Sequence, residues 1–336
     1  MAANHSTTND EWNRILHSSL ADFASLPPQK LQRLAQEQSQ EWQRKCLDSM
    51  AALLKAHSGV SVTQRIKGIK GIVNPIGQPY GGFLPVKTME KVILSDQKPP
   101  FDHTQEQPSA GTIGTAVDYL TRFNLTQDAQ ASFHISLLGA NRLEKIPMAE
   151  DLLANLHGLD DTSIKAALRL AGFDVAYRAG LAGYRPVEDM VISTEAVANI
   201  RWMVERSLSF FEKYGPTVCD EPTFSPDGYT RIVWYGDGDF TTATTMWDFK
   251  TSIKPPTSAH TLQLLMYWIM AHMSGQEQYN TLTSIGIYNP RMDTVWQYHL
   301  DPANPEDVER IRNVRDYVLG YWCHLGRHLP VEDVTR

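Results

Sequence analysis

The spacing of apolar residues changes along the chain and divides it into a helical part and a strand-rich part. From residue 9 to 57, apolar positions recur every three or four residues, as in DEWNRILHSSLADF and QKLQRLAQEQSQEWQRKCLDSMAALLKA. That spacing predicts helix, broken at LPPQ and stopped by His57-Ser58-Gly59. Residues 60–95 read as irregular structure with short strands, and the polar, Pro-rich stretch 96–111 as a loop or boundary. Helical spacing returns over 112–125, 127–140, 149–156 and 161–172. A long helix is predicted over 193–214, with Ser193 or Thr194 as N-cap and Gly215-Pro216 as the stop.

After residue 215 the period drops to two. Segments 216–225, 229–240 and 244–252 predict a three-stranded meander. A helix follows over 255–275, capped by Ser258, then two strands over 280–290 and 293–300 around a turn at Arg291-Met292, then a closing helix over 301–326. The order predicts an α/β fold: a mixed central sheet flanked by helices, with an additional N-terminal helical region. Two parts are expected, 1–108 as the helical region with its linker and 109–330 as the sheet-bearing domain.

Composition narrows the function classes. The chain has 336 residues and a formal net charge of −7, so no global positive field draws in nucleic acid. A nucleic-acid enzyme of this charge needs a local basic groove or a metal at its site. The three cysteines, Cys46, Cys219 and Cys323, are too few for a four-thiolate metal site and too sparse for a disulfide scaffold. No basic and apolar leader is read at the start, and the longest apolar run, 262–273, is too short to span a bilayer. A cytoplasmic protein without a membrane partner is the expectation.

The stretch WYGDGDFTTATTMWDFKTS, 234–252, carries the candidate chemistry. On a strand, Asp248 and Lys250 project to one face while Phe249 points to the other. If the two arms pair, Asp239 comes beside Asp248. Two close carboxylates repel unless a cation holds them, and a hard divalent ion takes oxygen ligands of this kind. Lys250 is then placed to act on an anion such as a scissile phosphate. The plainer alternative is a turn built on Asp237 and Asp239 beside a surface ion pair.

Gly236-x-x-Asp239, then Trp247-Asp248-Phe249-Lys250-Thr251, then a helix with Gln263-x-x-x-Tyr267, resembles the RecB-like branch of the PD-(D/E)xK nuclease superfamily over about residues 109–300. The upstream Gly-x-x-x-His helix of that branch is matched by Gly114 to Asp118, with aspartate in place of histidine. The resemblance implies a restriction-endonuclease-like core and a Mg²⁺- or Mn²⁺-dependent phosphodiesterase. It implies Asp239, Asp248 and Lys250 as catalytic residues, and Asp239, Asp248, the Phe249 carbonyl and Asp118 as metal ligands. Gln263, Tyr267, His260 and Thr251 are implied at the nucleic-acid backbone. DNA is the expected substrate, in recombination, repair or phage defence. An RNase or toxin on the same fold, or a catalytically idle module that binds nucleic acid or assembles with partners, is the alternative. The N-terminal helices are expected to clamp the substrate, to join a protein partner or to form a homo-oligomer. Glu195 or Glu205 is a further candidate to assist the metal, and the basic run 64–71 a candidate groove lining. His134 and His157 read as core histidines.

Overall fold

The structure, a computed structural model, describes residues 2–17, 28–178 and 180–321. The helices are α1 (Ala2–His17), α2 (Pro28–Glu37), α3 (Glu41–Lys55), α4 (Val62–Lys67), α5 (Ala110–Thr126), α6 (Ala129–Ser132), α7 (His134–Arg142), α8 (Ile146–Leu153), α9 (Asp161–Arg178), α10 (Thr194–Tyr214), α11 (Ser258–Met273) and α12 (Pro305–Asn313). A π-helical turn, Val314–Leu319, continues α12. The strands are β1 (Val60–Ser61), β2 (Glu90–Ile93), β3 (Cys219–Asp220), β4 (Val233–Tyr235), β5 (Phe240–Thr241), β6 (Thr245–Phe249), β7 (Ser284–Asn289) and β8 (Thr294–His299).

Six strands form one mixed sheet in the order β2-β8-β7-β6-β5-β3. β6 and β7 run parallel, joined through α11, and the other neighbours are antiparallel. All six residues of β7 are buried, as befits a strand covered on both faces. Alternation along β6 sends Met246 and Asp248 toward α11, and Trp247 and Phe249 toward α10. On the α10 side, Phe210 stacks on Tyr288 at 4.1 Å between ring centroids and meets Trp247 edge-on at 5.0 Å. Burying a ring of that size stabilises by about 2–3 kcal/mol. Ser193 caps α10 by accepting the Ala196 N–H, as its sequence predicts.

The helices fill two further cores. One lies within residues 113–204 and joins α5, α7, α9 and α10. The other joins α1 to α4 with α11, β7 and the π-helical turn, and in it Trp12 meets Trp268 edge-on at 5.1 Å. Residues from both sides of position 108 share this second core. β2 comes from the N-terminal part and completes the sheet beside β8; α1 and α4 pack on α11, α3 packs on the π-helical turn, and α2 packs on α3.

The expected meander is corrected. The segment 229–240 does not run as one strand. Val233–Tyr235 leaves to pair in parallel with Val60–Ser61, and only Phe240–Thr241 joins the main sheet. Gly236 makes the break, with φ at 151° and a Cβ position that Val62 already fills. The helix expected over 9–57 is three helices, and Thr257 rather than Ser258 precedes α11. Residues 18–27, and the end of the expected closing helix with Cys323, lie outside the described residues. Among those described, no helix is long and apolar enough to cross a membrane.

Candidate functional site

The antiparallel pair β5–β6 aligns Phe240 with Trp247 and Thr241 with Met246. One step further, the same register sets Asp239 opposite Asp248, so both carboxylates occupy the α11 side of the sheet. Asp239 Oδ2 accepts the Phe249 N–H at 2.6 Å, which ties the end of the hairpin together. Asp248 is 1% exposed. Its Oδ1 accepts from Lys250 Nζ at 2.6 Å, and its Oδ2 is buried with no hydrogen-bond partner. An orphaned carboxylate oxygen is costly, and native structures rarely leave one without a reason. Asp237 does not compete for the site, because it turns to the Tyr229 hydroxyl at 3.3 Å.

Asp118 reaches the same place from α5, but Arg122, one turn on, holds it. The guanidinium donates to Oδ1 at 3.1 Å and Oδ2 at 3.2 Å. Arg122 also donates to Glu221 at 2.7 Å and to Asp220 at 3.4 Å. Five carboxylates thus share one field with two cations: Asp118, Asp220, Glu221, Asp239 and Asp248 against Arg122 and Lys250. Desolvation pushes Asp248 up to about 7, with Asp239 adding to the rise and Lys250 opposing it. Desolvation likewise pushes Asp118 up to about 6, against Arg122 and with Asp239. Lys250 is held in its charged form by Asp248, Asp239 and Asp118, which together outweigh its own desolvation.

Among the described residues, no three His, Cys, Asp or Glu side chains converge as a complete metal ligand set. The pair Asp239 and Asp248 still suits a hard cation. Asp248 Oδ2 is unpartnered, the acids outnumber the cations, and the carboxylates offer oxygen donors. Asp118 is turned instead toward Arg122.

A cleft of about 580 Å³ opens over these groups, with Asp118, Asp239, Lys250 and Thr251 in its walls. Gly114 allows α5 to close on the end of β6, since a Cβ there would stand 2.7 Å from Thr251 Oγ1. Tyr267 is buried on α11, where Gln263 Nε2 donates to its hydroxyl at 2.9 Å. Burial first, then Asp239 and Asp248, raise the phenol's pKa, while the Gln263 bond opposes the rise, so Tyr267 stays neutral beneath the acids. His260 is half-buried and its Nδ1 accepts the Thr257 N–H at 3.1 Å, which leaves the proton on Nε2. Burial, with Lys250 and Lys67 nearby, drops its pKa to about 4, so it is a neutral donor and not a phosphate-binding cation.

Several candidates lie elsewhere. Glu205 is exposed, and the polar groups that α10 buries are Asn199, Arg206 and Ser207. Arg65 from the basic run is buried and donates to the Val318 and Tyr317 carbonyls and to Ser49 Oγ, so it braces the core and lines no groove. His134 and His157 are on the surface and not in the core. Sequence reasoning missed Arg122, although its four-residue spacing from Asp118 was a readable signal. It also missed the buried pair Arg291–Glu106, joined by two bonds of 2.6 and 3.0 Å on the cleft wall. Those two residues are 185 positions apart, and no local pattern links them. No protein-family model, curated protein or solved structure matches the chain.

Proposed function

We propose that the chain is a metal-dependent nuclease with a restriction-endonuclease-like core, hydrolysing phosphodiester bonds of DNA. The observation that carries this reading is the buried, unpartnered Oδ2 of Asp248, set across from Asp239 and beside Lys250. Asp239 and Asp248, with the carbonyl of Phe249, the residue after Asp248, would hold Mg²⁺ or Mn²⁺. Bound there, the ion would supply a water of lowered pKa and neutralise charge on the phosphoryl group.

The residues have separable tasks. Lys250 is positively charged, partly exposed to the cleft and fixed by Asp248, so its ammonium faces an entering phosphate. Asp118 also lines the cleft, with its carboxylate oriented by Arg122. His260 Nε2 and the Thr251 hydroxyl are neutral donors that suit the strand's other phosphate oxygens. Tyr267, expected at the nucleic-acid backbone, is instead buried on α11 and spends its hydroxyl on Gln263.

The test is cleavage of DNA and RNA by purified protein with Mn²⁺ and with EDTA. Asp248→Ala and Lys250→Ala are each expected to abolish cleavage while circular dichroism stays unchanged. Two variants that cut like wild type would show the assignment to be wrong. Cleavage of RNA alone would favour the RNase alternative.

A further inference from the structure

A second cavity, of about 550 Å³, lies between α5 and α10 over the outer part of the sheet. Asp118 and Phe249 belong to its walls and to those of the cleft that holds Lys250, so the two spaces meet at these residues. Its interior is apolar and aromatic: Leu208, Phe211, Phe240 and Phe249, with the Phe211 and Phe240 rings tilted at 49° and 4.9 Å apart. Its mouth carries the carboxylates of Asp220 and Glu212 and the exposed side chain of Leu125. The Arg122 guanidinium in the wall is committed to Asp118 and Glu221.

The occupant follows from this division of polarity. The acids at the mouth and at Asp118 repel an anion, while Lys250 next door attracts one. A ligand filling both spaces is therefore anionic at one end and a flat, neutral ring at the other. The ring stacks on phenylalanine faces, and its amino hydrogens meet carboxylate acceptors at the rim. The size is within the usual range for a pocket that engulfs a small ligand, roughly 300–1,000 Å³. We infer that this cavity takes one amino-bearing nucleobase, swung out of its stack, from the strand whose phosphate lies beside Lys250. The inference rests on the nuclease reading. It adds to that reading a demand for an unpaired base at the site, hence for a single strand, a frayed end or a distorted duplex.

The test is photocrosslinking of a single strand carrying 5-iodocytosine, irradiated on the protein in Ca²⁺, with the labelled peptides mapped. Cleavage of the same strand is measured separately in Mn²⁺. Label is expected on the peptides bearing Phe211, Phe240 or Phe249. Loss of one stacking face in Phe211→Leu is expected to lower the labelling about 5- to 100-fold at subsaturating protein. Leu125→Trp fills the mouth from an exposed helix position and is expected to do the same, which keeps the test open should Phe211→Leu fail to fold. Label confined to other surfaces, such as Trp234 and Tyr235, or unchanged by both variants, overturns the inference. A strand that is cut yet labelled elsewhere removes the base subsite and leaves the nuclease reading standing. A strand labelled in the cavity yet never cut does the reverse.

Discussion

Asp248 concentrates the account at the scale of a single residue. Its carboxylate sits in a buried strand and titrates at about 7 because burial outweighs the Lys250 ammonium. An unfolded chain releases that proton near pH 4. Between pH 4 and 7 the folded protein thus binds more protons than the unfolded one, and stability falls as the pH rises through that window. In EDTA, thermal melts of wild type are expected to show this decline, and Asp248→Asn is expected to make it shallower, leaving the share of Asp118. A divalent ion competes with the proton, so Mn²⁺ is expected to raise Tm more at pH 8 than at pH 5.5. An equal rise at both values, or the same rise in Asp248→Asn, would contradict the assignment. Residue types and a two-residue spacing made this group legible in advance. Arg122 was legible by its spacing but went unread, and the Arg291–Glu106 pair was not legible, because only the folded sheet brings its members together.

At the scale of elements, two glycines set how closely the pieces approach. Gly114 lets α5 meet β6 at Thr251. Gly114→Ala is expected to destabilise the wild type by about 1 kcal/mol, because the added methyl crowds Thr251 Oγ1. In a Thr251→Ala background the same change is expected to stabilise by about 0.5–1 kcal/mol through helix propensity. Urea unfolding of the double-mutant cycle measures the difference, and a cycle that closes additively would refute the contact. Gly286 faces the Trp247 ring across β6 and β7, where a Cβ would overlap the indole. Gly286→Ala is expected to cost about 3 kcal/mol. The long helices and β6 to β8 were readable because their apolar period runs unbroken. The stretch 216–240 was misread because its alternation is broken by Glu221, with φ at 46°, and by Gly236, which send its parts to different sheets.

At the scale of the whole molecule, the sheet is closed by a strand from the N-terminal part and braced from the C-terminal side. Arg65 joins these ends through the Val318 and Tyr317 carbonyls. Arg65→Met strands those carbonyls in the core and is expected to lower stability by about 2–4 kcal/mol, read as a lower urea midpoint. On the nuclease proposal, the net charge of −7 and the local surplus of carboxylates are expected to make DNA affinity depend on a cation. Fluorescence anisotropy is expected to show at least tenfold weaker DNA binding in EDTA than in Ca²⁺. Crystals grown with Mn²⁺ and measured at its absorption edge reach the central claim most directly. The account predicts an anomalous peak between the Asp239 carboxylate and Oδ2 of Asp248. No peak there, or a peak only at Asp220 and Glu221 with Asp248 still held by Lys250 alone, would contradict it.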